Sequence, residues 1–143
     1  MLDITAQQLN NQQGSIAALG ESGQSLQLKI TDTLDNSQGF ILAKGQQLSL
    51  STQQLINDQG SLLLSGADGL TINASGQLRN QQGLIHSGGG LLVNTPLLNN
   101  NQGELSARDI NISAVTLNNR QGAIGAQQVT LDGAYLDNRA GNI

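Results

Sequence analysis

Cysteine is absent from this chain of 143 residues, which removes disulfides, thiolate chemistry and every metal site built on cysteine. The same absence suits a protein threaded unfolded through a pore. Tryptophan is missing too, and with one Phe and one Tyr the core must be aliphatic. Charge is scarce at 11% of residues, and six Lys plus Arg against ten Asp plus Glu leave a net charge of −4. Such a chain has no basic stripe with which to release counterions from phosphate, which argues against a nucleic-acid partner. No apolar run reaches the roughly 18 residues of a membrane-spanning helix. Met1-Leu2-Asp3-Ile4-Thr5 lacks the basic segment and apolar stretch of a signal peptide.

What is present is aliphatic, small and amide-bearing. Leu, Ile, Val and Ala supply nearly all of the 37% hydrophobic content, 18 residues are Gly, and Asn and Gln fill much of the rest. Low charge sets this composition apart from that of an ordinary disordered segment.

Comparing the chain with itself reveals the organisation. The pattern Leu-x-Asn-x-x-Gly occurs seven times, starting at Leu9, Leu34, Leu55, Leu78, Leu98, Leu117 and Leu136. Its asparagines are Asn11, Asn36, Asn57, Asn80, Asn100, Asn119 and Asn138, and its glycines Gly14, Gly39, Gly60, Gly83, Gly103, Gly122 and Gly141. Successive copies begin 25, 21, 23, 20, 19 and 19 residues apart. Two residues after each Gly stands an aliphatic: Ile16, Ile41, Leu62, Ile85, Leu105, Ile124, Ile143. Further along comes an alternating pair, such as Leu26/Leu28, Leu48/Leu50, Leu70/Ile72 and Leu91/Val93, whose period of two is that of a strand with one buried face.

Each repeat therefore reads as three short strands separated by corners, with no room for a helix, and successive turns should stack in parallel. The expected fold class is an all-β parallel β-helix, a β-solenoid of about 20-residue coils and roughly seven coils, over residues 1–143 as a single segment. One coil cannot bury enough apolar surface to stand alone, so neighbouring coils of the same filament are the first partners. At the corner, Leu points inward and Asn inward, where the amide satisfies turn backbone groups that would otherwise be stranded. The Gly three places on is expected to supply a positive φ. These fourteen Asn and Gly residues form the predicted structural ladder. Large length differences share one corner, so Ala17 to Ser25 and the Gly-rich stretches Ser65 to Gly69 and Ser87 to Gly90 are expected to project as loops along one edge, the first place to look for recognition.

The run Leu34-Asp35-Asn36-Ser37-Gln38-Gly39-Phe40-Ile41, recurring as Leu117-Asn118-Asn119-Arg120-Gln121-Gly122-Ala123-Ile124, resembles the haemagglutinin repeat of filamentous haemagglutinins. The same repeat builds the stalks of contact-dependent growth inhibition effectors. The resemblance covers essentially the whole chain and implies a right-handed parallel β-helix exported by two-partner secretion. It further implies a secreted or cell-surface bacterial location, an outer-membrane transporter as partner during export, and a host or target-cell receptor or glycan as ligand. The family's secretion domain and its toxin or maturation regions have no counterpart here. The chain starts and stops mid-coil, and the expectation is a piece of a much longer filament with unpaired strand edges at both ends.

Residues that could carry chemistry do not converge. His86 falls in an outward slot between Ile85 and Ser87, with no third group to orient it. Polysaccharide-cleaving β-helices of the pectin-lyase-like kind are the alternative reading, but Asp35 and Asp137 share a slot far apart in the stack and Asp58 occupies another, which reads as solvated surface. Arg120 and Arg139 share an outward slot in consecutive coils, within reach of a common anion, although splayed and solvated side chains are expected. Gly88-Gly89-Gly90 lacks the Lys and helix of a phosphate loop, and Asn57-Asp58-Gln59-Gly60 lacks the acidic spacing of a calcium loop. Phe40 and Tyr135 are isolated and outward, so there is no aromatic platform for stacking. The slot between the alternating pair reads Gln27, Ser49, Thr71, Leu92, Asn111 and Thr130, too irregular for the threonine rows of ice binding. No catalytic residue, cofactor site or metal site is expected.

Overall fold

A computed structural model describes residues 1–20 and 24–143. Alternation of apolar and polar side chains writes out strands, and Gly-closed corners turn each one back before it lengthens. The first four coils each pair a long strand with a short one. They comprise β1 (Leu2–Asn10) and β2 (Ser15–Ala18), β3 (Ser25–Asp35) and β4 (Phe40–Ala43), β5 (Gln47–Ile56) and β6 (Ser61–Leu64), then β7 (Gly69–Arg79) and β8 (Leu84–Ser87). In later coils the long strand divides: β9 (Gly90–Asn94), β10 (Leu97–Asn99) and β11 (Glu104–Ser106), then β12 (Asp109–Ser113), β13 (Thr116–Asn118) and β14 (Ala123–Gly125). β15 (Gln128–Asp132) and β16 (Tyr135–Asp137) complete the rod.

Three strands per coil thus hold only for the later coils. In the earlier ones two of the three run on through an irregularity, marked by register shifts between Ala6 and Gln8, Lys29 and Thr33, and Thr52 and Gln54. At the equivalent place in the fifth coil stands Pro96, which has no N–H to give to a ladder, and the strand breaks there.

Strands pair in parallel into two sheets running the length of the solenoid. One has ten strands, in the order β1-β3-β5-β7-β10-β13-β16 with β9, β12 and β15 continuing beside β7; the other has six, β2-β4-β6-β8-β11-β14. Register makes the repeat physical. Leu34 pairs with Leu55, Leu55 with Leu78, and Leu78 with Leu98, so residues 20 or more apart in sequence lie one above another. Ile41, Leu62, Ile85 and Leu105 form a second file on the facing sheet. Both files point between the sheets, where Leu34, Leu55, Leu78, Ile41, Leu62 and Ile85 have no exposed surface at all. Outer coils pack on one side only, and Leu136 is 49% exposed.

The Gly-rich corners do not project. Lys44 to Gln46, Ser65 to Asp68 and Gly88 to Gly89 are tight bends bonded to the coil before or after them. Gln46 N donates to Gln24 O at 2.9 Å, Asp68 N to Gln46 O at 3.2 Å, and Gly88 N to Leu64 O at 2.8 Å. Backbone donors near a stacked coil find carbonyls there, and a projecting loop would forfeit them. Of the segment Ala17 to Ser25, residues 21–23 lie outside the described residues.

Candidate functional site

The corner motif is the most regular polar construction in the molecule. Asn11 Nδ2 donates to Asn36 Oδ1 at 2.7 Å, Asn36 to Asn57 at 2.7 Å, Asn57 to Asn80 at 2.7 Å and Asn80 to Asn100 at 2.8 Å. The file runs on from Asn100 to Asn119 and from Asn119 to Asn138, both at 2.7 Å. Asn36, Asn57, Asn80, Asn100 and Asn119 are fully buried. Each also directs Nδ2 toward the carbonyl of its own motif Gly, as in Asn80 to Gly83 O at 3.2 Å. The Gly amide closes the corner onto the Asn carbonyl, at 3.2 Å for Gly83 and 3.0 Å for Gly103. Among the described residues no fully buried side-chain nitrogen or oxygen is left without a partner.

The motif glycines do not supply the left-handed backbone. Positive φ falls one residue earlier, on Gln13, Gln38, Gln59, Gln82, Gln102, Gln121 and Ala140, at 54 to 57°. Glycine is needed for space instead. A Cβ on Gly83 would lie 2.1 Å from the Asn57 carbonyl oxygen and 2.5 Å from Asn80 Oδ1, closer than any carbon approaches an oxygen. Those glutamines form a second, exposed amide file: Gln38 Nε2 reaches Gln59 Oε1 at 3.0 Å, and Gln59 reaches Gln82 at 2.9 Å. Six glutamines preceding six of the seven motif glycines were the sequence signal for this position.

Where the long strands bend, the rod's flank is concave. A groove of about 670 Å³ crosses four coils there. One rim is the register file Lys29, Ser51, Asn73 and Asn94, exposed or half-exposed. The floor, Ile30, Thr52, Ala74 and Thr95, is buried. Its two threonines are spent on backbone: Thr52 Oγ1 donates to Asp32 O at 2.9 Å, and Thr95 Oγ1 to Leu97 O at 3.2 Å. The second rim, Thr31, Gln53, Ser75 and Pro96, is exposed. No motif search would flag this surface, because its members are ordinary polar residues made neighbours by stacking.

A family model for the haemagglutinin repeat matches residues 2–38, 25–82 and 79–143. The chain belongs to the haemagglutinin repeat family. No curated protein and no solved structure matches it.

Three acidic residues of this haemagglutinin-repeat solenoid, Asp35, Asp58 and Asp137, are engaged structurally. Asp35 accepts from Ser37 N at 2.9 Å, Ser37 Oγ at 2.6 Å and Gln12 Nε2 at 2.6 Å. Partial burial pushes its carboxyl up, but those hydrogen bonds outweigh it and hold the group below the usual carboxylate range. Asp58 is paired with Arg79. Asp137 is not solvated surface, since its side chain is only 2% exposed, and Arg120 and Arg139 do not splay. Both converge on it, Arg139 through Nη2 to Oδ2 at 2.8 Å and Nε to Oδ1 at 3.0 Å, Arg120 through Nε to Oδ2 at 2.5 Å. The common anion of that arginine pair is therefore the chain's own carboxylate. Arg139 first, then Arg120, hold Asp137 far below its ordinary range.

A general acid needs a carboxyl raised toward neutral pH, the opposite of both shifts. Asp35 on β3 and Asp137 on β16 also stand near opposite ends of the ten-stranded sheet, so they cannot flank one bond. His86 is exposed, its Nδ1 lying 3.0 Å from Ser106 Oγ, while Ser87 is buried with Oγ donating to Gly90 O at 2.8 Å. The two are not joined into a nucleophile and base. Among the described residues, no three of His, Asp and Glu gather where a metal ion could bind. Phe40 and Tyr135 are exposed and belong to different ends of the stack.

Proposed function

We propose that the chain is a rigid stalk segment of a secreted or cell-surface filamentous haemagglutinin-like adhesin, or of a contact-dependent inhibition toxin filament, in a bacterium. Export runs by two-partner secretion through an outer-membrane transporter, and the flank of the rod meets host or target-cell receptors or glycans. The observation that carries this reading is the unbroken asparagine file from Asn11 to Asn138, which holds successive coils in a single register. Six coil intervals at the ordinary strand spacing of about 4.8 Å make a rod roughly 30 Å long. Its coils supply stiffness and repeated surface rather than a reactive centre. A chain without cysteine has nothing to crosslink before export.

Surface display is the decisive test. An antibody raised against residues 1–143 should label intact cells that make the parent protein, and external protease should strip the label without lysing them. Antigen found wholly in the cytosol would overturn the proposal.

A further inference from the structure

We propose that the outer face of the six-stranded sheet is a self-association surface, on which a second copy of this chain lies side by side and parallel. The inference goes beyond the stalk reading and does not rest on it.

This face differs in kind from the rest of the flank. Strand alternation turns Phe40 and Leu42 of β4, Leu63 of β6 and Leu84 of β8 outward, while Ile41, Leu62 and Ile85 between them go to the core. Register then sets Leu42 beside Leu63, and Phe40 in one file with Leu84. Phe40 is 36% exposed, and the three leucines stay half-exposed. The comparable outward slot of the ten-stranded sheet holds Gln27, Ser49, Thr71, Asn111 and Thr130, with Leu92 alone apolar. Aliphatic side chains left together on a strand's solvent face, where polar ones ordinarily stand, mark a contact surface. β4, β6 and β8 each have both edges paired, so nothing docks on them by adding a strand. The occupant has to cover the sheet face to face.

Charge names that occupant. In the second coil Leu42 stands midway between Phe40 and Lys44, and in the fifth Ser106 stands midway between Glu104 and Arg108. All four flanking residues are exposed, and each pair joins a cation to a group that attracts one. Arg108 gives Nε to Asp109 at 2.9 Å, and its guanidinium has further donors to offer. A two-fold axis parallel to the rod, over the file Leu42, Leu63, His86 and Ser106, lays that file on its own copy and reverses the strand direction. Phe40 then faces Lys44 of the second copy and Glu104 faces Arg108 of the second copy, each twice by symmetry. Antiparallel rods would instead lay Glu104 on its own file of Ser15, Phe40, Ser61, Leu84 and Ala123, which holds no cation. The net charge of −4 opposes an anionic membrane as the occupant.

The contact is small. Four residue steps of about 3.3 Å by five coil steps of about 4.8 Å enclose roughly 300 Å² of each rod, below the ~800 Å² per partner of a standard interface. Pairing of this chain is therefore weak and reversible.

The test is sedimentation equilibrium of the 143-residue chain from about 10 to about 500 µM, where a monomer should pass to a dimer with half-association on the order of 100 µM. Leu63→Lys sets like charges across the axis and should weaken pairing at least about tenfold, whereas Thr71→Lys on the polar face should leave it unchanged. Leu42→Lys repeats the block should Leu63→Lys fail to fold. Glu104→Arg and Arg108→Glu should each weaken pairing alone, and an equal mixture of the two variants should restore it, because the mixed pair opposes unlike charges at both sites. A chain that stays monomeric at about 500 µM, pairing that survives a folded Leu63→Lys or is lost equally in Thr71→Lys, or a mixture no tighter than its components would each overturn the proposal. So would a monomeric chain that binds phosphatidylcholine vesicles through this face, which would assign it to lipid.

Discussion

Asn57 Nδ2 donates to Asn80 Oδ1 at 2.7 Å across 23 residues of sequence, and Asn80 passes the same bond on to Asn100 at 2.8 Å. Each amide in this buried file is donor to one coil and acceptor from another. Removing one member therefore takes a bond from each of two neighbours. Asn80→Ala takes from Asn57 Nδ2 its shortest acceptor, leaving it only the longer bonds to Gly60 O and Leu84 O. It also takes from Asn100 Oδ1 its Asn80 donor, away from water, and should cost about 1 to 3 kcal/mol. Asn138→Ala, in the half-buried last position, removes one ladder bond instead of two and should cost less. Urea denaturation of both variants checks the order; equal midpoints would show that the file does not couple the coils.

Glycine substitutions separate crowding from backbone strain. The Gly83 position leaves 2.1 Å between an added Cβ and the Asn57 carbonyl oxygen, a rigid neighbour, while Gly125 has nothing within 4 Å. Gly83→Ala should destabilise by about 1 to 3 kcal/mol. Gly125→Ala, at a position without positive φ, should be neutral or slightly stabilising, because the substitution restricts the unfolded chain. Thermal melts of the two variants should differ accordingly.

The architecture was legible because its determinants are local. Leu26/Leu28 and Leu48/Leu50 announce strands by alternation, and the unequal spacing of Leu34, Leu55 and Leu78 still resolves into direct register partners. The reason for the motif glycine was not legible. A recurrent Gly at a corner suggests a left-handed residue, yet what forbids a side chain is a carbonyl some 26 residues earlier, as Asn57 O is to Gly83, and that neighbour exists only after stacking. Arg120, Arg139 and Asp137 pose the same difficulty. Two like charges in one outward slot read as splayed and solvated until the strand register sets Asp137 opposite Asn118, beside both arginines. The groove was invisible for a third reason: none of its residues is unusual, and only a bend repeated in four coils makes them a surface.

The left-handed glutamines allow backbone strain to be measured apart from side-chain bonding. Gln82→Gly and Gln82→Ile both delete the amide link from Gln59 at 2.9 Å and the link onward to Gln102 at 2.9 Å. The two differ in how well residue 82 tolerates φ of 55°. Glycine adopts it freely, whereas a β-branched side chain is strained there, so the isoleucine variant should be less stable than the glycine variant by roughly 1 to 3 kcal/mol. Equal stabilities would mean that the corner relaxes to another conformation once the glutamine is gone.

Acid should loosen the last coil first. Asp137 is held far below its ordinary value of 3.8 by Arg139 and then Arg120, so its folded carboxyl stays ionised where an unfolded one takes up a proton. A depressed folded value contributes stability that is complete above the unfolded pKa and is lost as pH falls through the folded one. Hydrogen exchange at the amides of residues 135–141 should therefore accelerate relative to the second and third coils as pH drops below about 4, after correction for intrinsic exchange. Asp35 is depressed in the same direction and adds its own acid sensitivity to the second coil, carried first by Ser37 and Gln12 and in lesser part by Arg79. Asp137→Asn should flatten the response of residues 135–141 and leave that of the Asp35 coil intact, because the two carboxylates sit near opposite ends of the sheet. A terminal coil that keeps its full acid dependence in Asp137→Asn would place the titrating group elsewhere.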